Sequence, residues 1–150
     1  MTTMPLIDLA AQQQVLRKRL DVAISRVLDH GAYILGPEVA ELESMLASSV
    51  GRRHCVSCAS GTDALQIFLM AKGVGAGDRV VVPDFTFVAT AEAVRLVGAE
   101  PVFADVDPVS YTLDPGSVRQ AWDLEGPPPV GVIVVDLFGH PAQTAEIEDL

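Results

Sequence analysis

The sequence lacks long apolar runs and clustered positive charge. No run of about 18 or more apolar residues occurs, so we expect no transmembrane helix. Residues 1–8 lack the basic and apolar regions of a signal peptide, and we expect a cytoplasmic protein. The net charge is −10, and the basic residues at 17–19 and 52–53 form only short clusters. A nucleic-acid partner is therefore not expected.

Cysteine is scarce, with only Cys55 and Cys58 in 150 residues. One pair cannot complete a tetrahedral zinc site, so no metal site is predicted. A redox pair would begin a helix, whereas Cys55 falls in a predicted strand. We therefore expect both cysteines to be small buried residues.

Two common nucleotide-binding patterns are also absent. No G-x-G-x-x-G segment follows the first predicted strand, which disfavours a dinucleotide-binding domain. The Gly-Lys-Ser/Thr ending of a P-loop does not occur either. If this chain binds a phosphate, it therefore uses neither a dinucleotide-binding glycine turn nor a P-loop.

Apolar runs and helical spacings alternate along the chain, whose length is typical of one domain with a sizeable core. Helices are predicted near residues 12–30, 37–50, 62–72, 88–97 and 116–122, with another beginning near 142. Strands are predicted at 54–57, 79–82, 101–106 and 130–137. This order predicts an α/β fold around a mainly parallel sheet, with ligands beyond the carboxyl ends of its strands. Residues 1–51 would be an N-terminal helical segment, and residues 52–150 would begin the sheet.

A turn of small residues, Ser60, Gly61, Thr62 and Asp63, joins the first predicted strand to the third predicted helix. Free backbone N–H groups and the helix dipole make such a turn suitable for an anion, most often phosphate. Alternatively, Ser60, Thr62 and Asp63 only cap the helix. The turn alone leaves both interpretations open.

Phe85 and Phe87 follow the second predicted strand at the same edge. They are either core residues, with Phe87 packing against the fourth helix, or an exposed ring face for a flat aromatic cofactor. A phosphate-binding turn beside a stacking ring suits pyridoxal phosphate.

Other polar residues show no spacing typical of a catalytic or metal site. Turn or cap roles are expected for the aspartates near strand ends, Asp84, Asp105, Asp107 and Asp136. Structural roles are expected for the histidines, His30, His54 and His140.

Many short segments occur in an order and spacing that match one enzyme family. They are PLIDLAAQ at 5–12, GPEV at 36–39, LE at 42–43, SGTDAL at 60–65, GD at 77–78, TFVAT at 86–90, GAEPVF at 98–103, DVDP at 105–108 and LFGHPA at 137–142. The sequence thus resembles the N-terminal portion of the DegT/StrS-type aminotransferases. These are fold-type I enzymes that use pyridoxal 5'-phosphate to aminate nucleotide-linked keto-sugars.

The resemblance implies roles for particular residues and partners. Ser60, Gly61 and Thr62 would contact the cofactor phosphate, and Phe87 would stack on the pyridine ring. An amino acid, by resemblance glutamate, would donate the amine, and two copies of the protein would form a homodimer. The pathway implied is amino-sugar biosynthesis for cell-surface polysaccharides or secondary metabolites.

The Schiff-base lysine of this family has no counterpart here, because the only lysines, Lys18 and Lys72, do not match its context. The family's small C-terminal domain is not recognised either. We therefore expect the chain to be inactive alone, as part of the cofactor-binding large domain. Two alternatives are a sugar dehydratase of the same family, in which histidine replaces the lysine, and a non-catalytic dimerisation module. In the second, the loop Tyr33-Ile34-Leu35 is a candidate contact.

Overall fold

The computed structural model of the chain describes residues 7–149, so the family-like segment that starts at Pro5 lies partly outside it. The chain divides into two compact units, one ending at Ser57 and the other beginning at Cys58. In the part of the chain that the structure describes, no helix combines the length and apolar character needed to cross a bilayer.

The first unit contains helices α1 (Leu9–His30) and α2 (Pro37–Ser49). Helix α1 begins before the predicted Gln12 because the Asp8 carboxylate accepts a hydrogen bond of 3.0 Å from the Ala11 amide. None of its described residues is buried. The predicted apolar stripe is therefore on the surface of this unit, with Leu20, Ile24 and Leu28 41%, 57% and 61% exposed.

The first predicted strand does not form, and the predicted burial of the cysteines is also wrong. Residues 54–57 belong to no strand of the described chain, Cys58 is exposed and Cys55 is half-buried. A strand needs a neighbouring backbone to pair its amides and carbonyls. Here the amide and the hydroxyl of Ser57 instead donate to Glu43 Oε1, at 2.7 Å and 2.8 Å.

The contact between Glu43 and Ser57 is expected to weaken in acid. The hydrogen bonds from the Ser57 amide and hydroxyl hold the pKa of Glu43 below 4.5. Its stabilisation is thus fully present above about pH 4.5, the unfolded value, and is lost as the pH falls through the lower folded value. Corrected for intrinsic rates, hydrogen exchange at the Ser57 amide should show this loss. Glu43→Gln should partly expose the Ser57 amide at neutral pH and remove the change in its exchange rate in acid. If exchange at this amide depends on pH in the variant as it does in wild type, the Glu43 carboxylate is not the titrating group.

The second unit alternates helices and strands. Its elements are α3 (Gly61–Ala71), β1 (Arg79–Pro83), α4 (Ala89–Leu96), β2 (Glu100–Ala104), α5 (Pro115–Trp122), β3 (Gly131–Val132), a 3-10 turn (Leu137–Gly139) and α6 (Thr144–Glu148). The strand order is β2-β1-β3, and both pairings are parallel. The predicted α/β fold with a parallel sheet is confirmed.

Strand β1 lies at the centre of this sheet, and its side chains alternate between two apolar clusters. On one face Val80 and Val82 pack with residues from α3 and α4, including Leu69, Ala93 and Val94. On the other, Val81 belongs to a cluster with residues of β2, α5, α6 and the loop before α5: Val102, Ala104, Leu113, Val118, Ala121 and Ile147. Helices therefore cover both faces of the sheet, and the loops at strand ends remain open to ligands.

Strand β3 is much shorter than the predicted strand at 130–137. Its pairing with β1 runs through Val80↔Gly131 and Val81↔Val132, and the Ile133 amide still donates to the Val81 carbonyl at 2.8 Å. The next β1 residue that points toward β3 is Pro83, which has no amide to donate. The ladder therefore ends there.

Within residues 7–149, three large residues have positive φ angles, a region that residues other than glycine rarely adopt. They are Leu35 (48°) and Tyr111 (59°), which lie in loops, and Phe138 (56°), which lies inside the 3-10 turn. Their exposed fractions are 81%, 47% and 84%.

Candidate functional site

Helix α3 begins in the small-residue turn with a capping arrangement. Ser60 is extended, with φ −154° and ψ 167°, and its hydroxyl accepts a hydrogen bond from the Asp63 amide at 3.1 Å. The same hydroxyl lies 2.8 Å from the Asp63 carboxylate, to which it donates. The capping interpretation is therefore confirmed for Ser60, and the Asp63 carboxylate holds the capping hydroxyl in place.

This cap leaves two other backbone donors of the turn without acceptors. The Ala64 amide binds the Ser60 carbonyl at 3.0 Å, whereas no acceptor within residues 7–149 meets the amides of Gly61 and Thr62. A Cβ placed on Gly61 would have no atom within 4 Å, so the space beside this residue is open. Capping and anion binding therefore use different groups of one turn, and the helix dipole adds positive potential where the two amides are free.

Phe87 lies in the loop between β1 and α4 and is 75% exposed. Phe85, two residues earlier, is 51% exposed. Neither ring is a core residue, and Phe87 does not bury its ring against α4, so those two interpretations are wrong. The loop presents an aromatic face to solvent, as a stacking platform requires.

The topology places this loop and the start of α3 at the same edge of the sheet. Helix α4 follows β1 directly, so its first turn lies at the carboxyl edge. Helix α3 leads into the amino end of β1, so its own first turn lies at the opposite, carboxyl edge. Leu65 and Ala91, near the starts of the two helices, pack on the same apolar cluster. The Ser60–Gly61–Thr62 turn and Phe87 therefore share this edge.

Most aspartates near strand ends serve local structure. The carboxylates of Asp105 and Asp136 accept the amides of Val106 and Ala142, at 2.8 Å and 2.9 Å. Asp107 accepts two amides, and the hydrogen bonds from Ser110 and Val109 hold its pKa below 3.8. The expected turn roles are confirmed for these three, whereas the Asp84 carboxylate has no hydrogen bond within the described chain and only the Asp84 backbone amide is paired, with the Ala104 carbonyl at 3.0 Å.

Lys72, the lysine of the second unit, does not meet the turn. Lys72 is the C-cap of α3, at the far end of an 11-residue helix, which at 1.5 Å per residue is roughly 16 Å from Gly61. Lys18 lies in the exposed basic segment of α1, in the other unit. The groups that the second unit places at this edge are therefore suited to binding an anion and a flat ring, and they include no lysine from its described residues.

A cleft beside the Phe87 loop was not predicted from the sequence. The rings of Phe85 and Tyr111 lie 6.0 Å apart between centroids and border an open cleft of about 500 Å³. The remaining lining residues are Asp84, Asp105, Val106 and Pro108. Tyr111 reaches this position through its positive φ angle, which no residue pattern signals.

Comparison with known proteins gives consistent matches. Residues 14–150 match the family model described as the DegT/DnrJ/EryC1/StrS aminotransferase family. A UDP-2-acetamido-2-deoxy-3-oxo-D-glucuronate aminotransferase of Pseudomonas aeruginosa is 54% identical over 89% of this chain. The crystal structure of a DegT DnrJ EryC1 StrS aminotransferase from Brucella abortus superposes over 98% of the chain, with a TM-score of 0.93 and 49% identity. NtdA from Bacillus subtilis, solved with bound cofactor PMP, superposes over 99%, with a TM-score of 0.89 and 26% identity.

The chain spans only part of each of these proteins. It covers 36% of the Pseudomonas enzyme, 40% of the Brucella chain and 34% of NtdA. The greater part of each relative therefore lies outside the matched region, and the activity of a whole protein depends on that part as well.

Proposed function

Because the chain belongs to the DegT/DnrJ/EryC1/StrS aminotransferase family, we propose that it forms part of an enzyme that transfers an amine from an amino acid to a nucleotide-linked keto-sugar. One structural observation carries the proposal: two unpaired amides and an exposed aromatic ring share the carboxyl edge of a parallel sheet. The name of the Pseudomonas relative supports this substrate class. Residues 1–51 would be the N-terminal helical segment, and residues 52–150 would begin the cofactor-binding large domain.

The residues at this edge fit pyridoxal 5'-phosphate. The amides of Gly61 and Thr62 would bind the phosphate, with the Thr62 hydroxyl as a further donor, and the open space beside Gly61 leaves room for it. Ser60 would position these donors through its bonds to Asp63. Phe87 would cover one face of the pyridine ring. The PMP bound to NtdA is the amine-carrying form of the same cofactor.

The bound cofactor would supply an electron sink for the carbon that exchanges its amine. This chain's residues would anchor the phosphate, orient the ring and keep solvent from one ring face. The transfer also needs a lysine that carries the proton. Lys18 and Lys72 do not supply it, so we expect these 150 residues alone to transfer no amine.

The amine donor is proposed to be glutamate.

The protein partner is proposed to be a second copy of the protein. Apolar residues of α1 and of the loop Tyr33-Ile34-Leu35 are exposed on the first unit. Exposed apolar surface of this kind is typical of protein interfaces. Sedimentation of the intact protein as a stable monomer at micromolar concentration would contradict the pairing.

The activity can be tested on the intact protein with a UDP-linked 3-oxo-sugar, glutamate and pyridoxal phosphate. We expect 2-oxoglutarate to form in equal amount to a UDP-amino-sugar, both identified by mass spectrometry. The matched control is the same nucleotide sugar with a hydroxyl in place of the keto group, which should not react. Loss of water without gain of an amine would support the dehydratase alternative instead, and no turnover on UDP- and dTDP-linked keto-sugars would contradict the proposal.

A further inference from the structure

The connection between α1 and α2, residues 31–36, is a tight turn with an apolar tip. Gly31 ends α1 in the left-handed conformation, with φ 67°. At the other end, a Cβ on Gly36 would overlap the Ala32 carbonyl oxygen. The two arms of the turn are thus in backbone contact. Between them Tyr33, Ile34 and Leu35 are 66%, 89% and 81% exposed.

His30 makes a hydrogen bond to this turn that fixes where its ring carries a proton. Its Nδ1 accepts the Ala32 amide at 3.0 Å. An accepting ring nitrogen has no hydrogen, so the neutral ring carries its hydrogen on Nε2. Nε2 lies 3.2 Å from each carboxylate oxygen of Glu38, to which it donates. One imidazole therefore joins the turn to the first turn of α2.

Several charged groups surround the ring. Arg26 Nε lies 2.8 Å from Glu38 Oε1, and Arg26 Nη2 lies 3.3 Å from Glu41 Oε2. Asp21 and Asp29 border a shallow concavity of α1 that Arg26 and His30 also line, and the turn itself contributes one titratable group, Tyr33. The backbone amide of Glu38 and its bond to His30 hold the pKa of Glu38 below 4.5, so it stays a carboxylate when the imidazole titrates. Glu38 is thus the carboxylate that contacts the ring, and the other charged groups near it are Arg26 with its partner Glu41, and Asp21 and Asp29 on α1.

We infer that His30 is a pH-sensitive switch of the turn between α1 and α2. A second proton on the ring must go to Nδ1. The new N–H at Nδ1 then faces the Ala32 N–H, so the Ala32 amide loses its acceptor. The Nε2 bond to Glu38 persists and becomes an ion pair. Acid therefore frees the turn while the contact between the two helices is kept. Imidazoles gain this proton between about pH 8 and pH 5.

The switch has a consequence for assembly that rests on the pairing proposed above. A turn held in one conformation presents Tyr33, Ile34 and Leu35 to a partner without loss of loop entropy on binding. Freeing the turn restores that cost, so pairing of the intact protein should weaken as the pH falls from 8 to 5.

Hydrogen exchange at the Ala32 amide of the intact protein tests the switch. Two variants each keep one of the two hydrogen bonds of the His30 ring, the bond to the Ala32 amide or the bond to Glu38. The amide oxygen of His30→Asn can occupy the Nδ1 position and accept from Ala32 at any pH, without reaching Glu38. The amide nitrogen of His30→Gln can reach Glu38 but leaves Ala32 without an acceptor. After correction for intrinsic rates, wild-type protection should fall about 3-fold to 10-fold from pH 8 to pH 5, as expected for one hydrogen bond. Protection should stay high in the Asn variant and low in the Gln variant.

Several results would overturn the inference. One is an equal dependence on pH in all three proteins, and another is a nitrogen-15 spectrum that places the proton of the neutral His30 ring on Nδ1. Amides in the interior of α1 serve as the control, because their protection should not follow the turn. Dissociation constants measured at pH 8 and pH 5 address the assembly step separately. If Ala32 responds and pairing does not, the switch stands and the proposed contact is wrong.

Discussion

Gly61→Pro is expected to weaken pyridoxal phosphate binding by the intact protein about 10-fold to 100-fold. The substitution removes one of the two free amides at the start of α3. A hydrogen bond to a charged group contributes about 1.5–3 kcal/mol, and each 1.4 kcal/mol corresponds to roughly a factor of 10 in affinity. Titration of the apoprotein with the cofactor, followed by absorbance, gives the two dissociation constants.

The helix itself should tolerate this change. Gly61 is the first helical residue, where proline is favoured because its missing N–H has no helical partner. The preceding residue, Ser60, is already extended, as a residue before proline prefers. We therefore expect Tm to stay equal or rise slightly.

Gly61→Ala is the matched control, since it adds a methyl group in open space and keeps the amide. Its affinity should remain within about 3-fold of wild type, which is under 1 kcal/mol. If the Pro and Ala variants bind the cofactor equally, the phosphate does not contact this amide. If Gly61→Pro lowers Tm, Thr62→Val gives a second test, because it removes only the hydroxyl donor of the next residue.

Leu113→Ala is expected to lower the free energy of unfolding of the second unit by about 2–5 kcal/mol. Leu113 is 1% exposed and packs in the cluster on the face of the sheet opposite α3 and α4. The shortened side chain loses its transfer free energy and leaves a cavity, because β2 and α5 are fixed by their own pairing and packing. Urea unfolding of the intact protein, followed by the fluorescence of Trp122 beside the same cluster, measures the change.

Leu96→Ala is the control for that measurement. Leu96 is the last residue of α4 and is 64% exposed. The same chemical change should therefore alter the free energy of unfolding by no more than about 0.5 kcal/mol. A loss at Leu113 as small as that at Leu96 would show that the cluster is loosely packed.

The parts of the fold that the sequence predicted well are those set by local pattern. Strand β1 is a short apolar run ended by Pro83, and α3 is an apolar helical repeat that ends before Gly73. The predicted strands at 54–57 and 130–137 depend instead on which backbones lie beside them. Apolar composition carries no information about such partners. The first therefore does not form, and the second pairs over two residues.

In the candidate site, too, the features set by local sequence were predicted, and those set by the surrounding structure were not. The helix start at Ser60 and the small residues after it are visible in the sequence, and both the cap and the free amides are present in the structure. The exposure of Phe87 could not be decided from its identity, because phenylalanine is usually buried. The cleft beside Phe85 depends on one backbone angle at Tyr111, which side-chain chemistry disfavours.

The positive φ angles of Leu35, Tyr111 and Phe138 have a consequence for directed evolution. Each costs on the order of 1 kcal/mol or more, which glycine would relieve. A library selected only for heat resistance should therefore enrich glycine or asparagine at these positions. A library selected for amine transfer should keep the large side chains wherever they contact a substrate or a partner. Enrichment under the two selections would then separate side chains kept for function from those that could be replaced without cost.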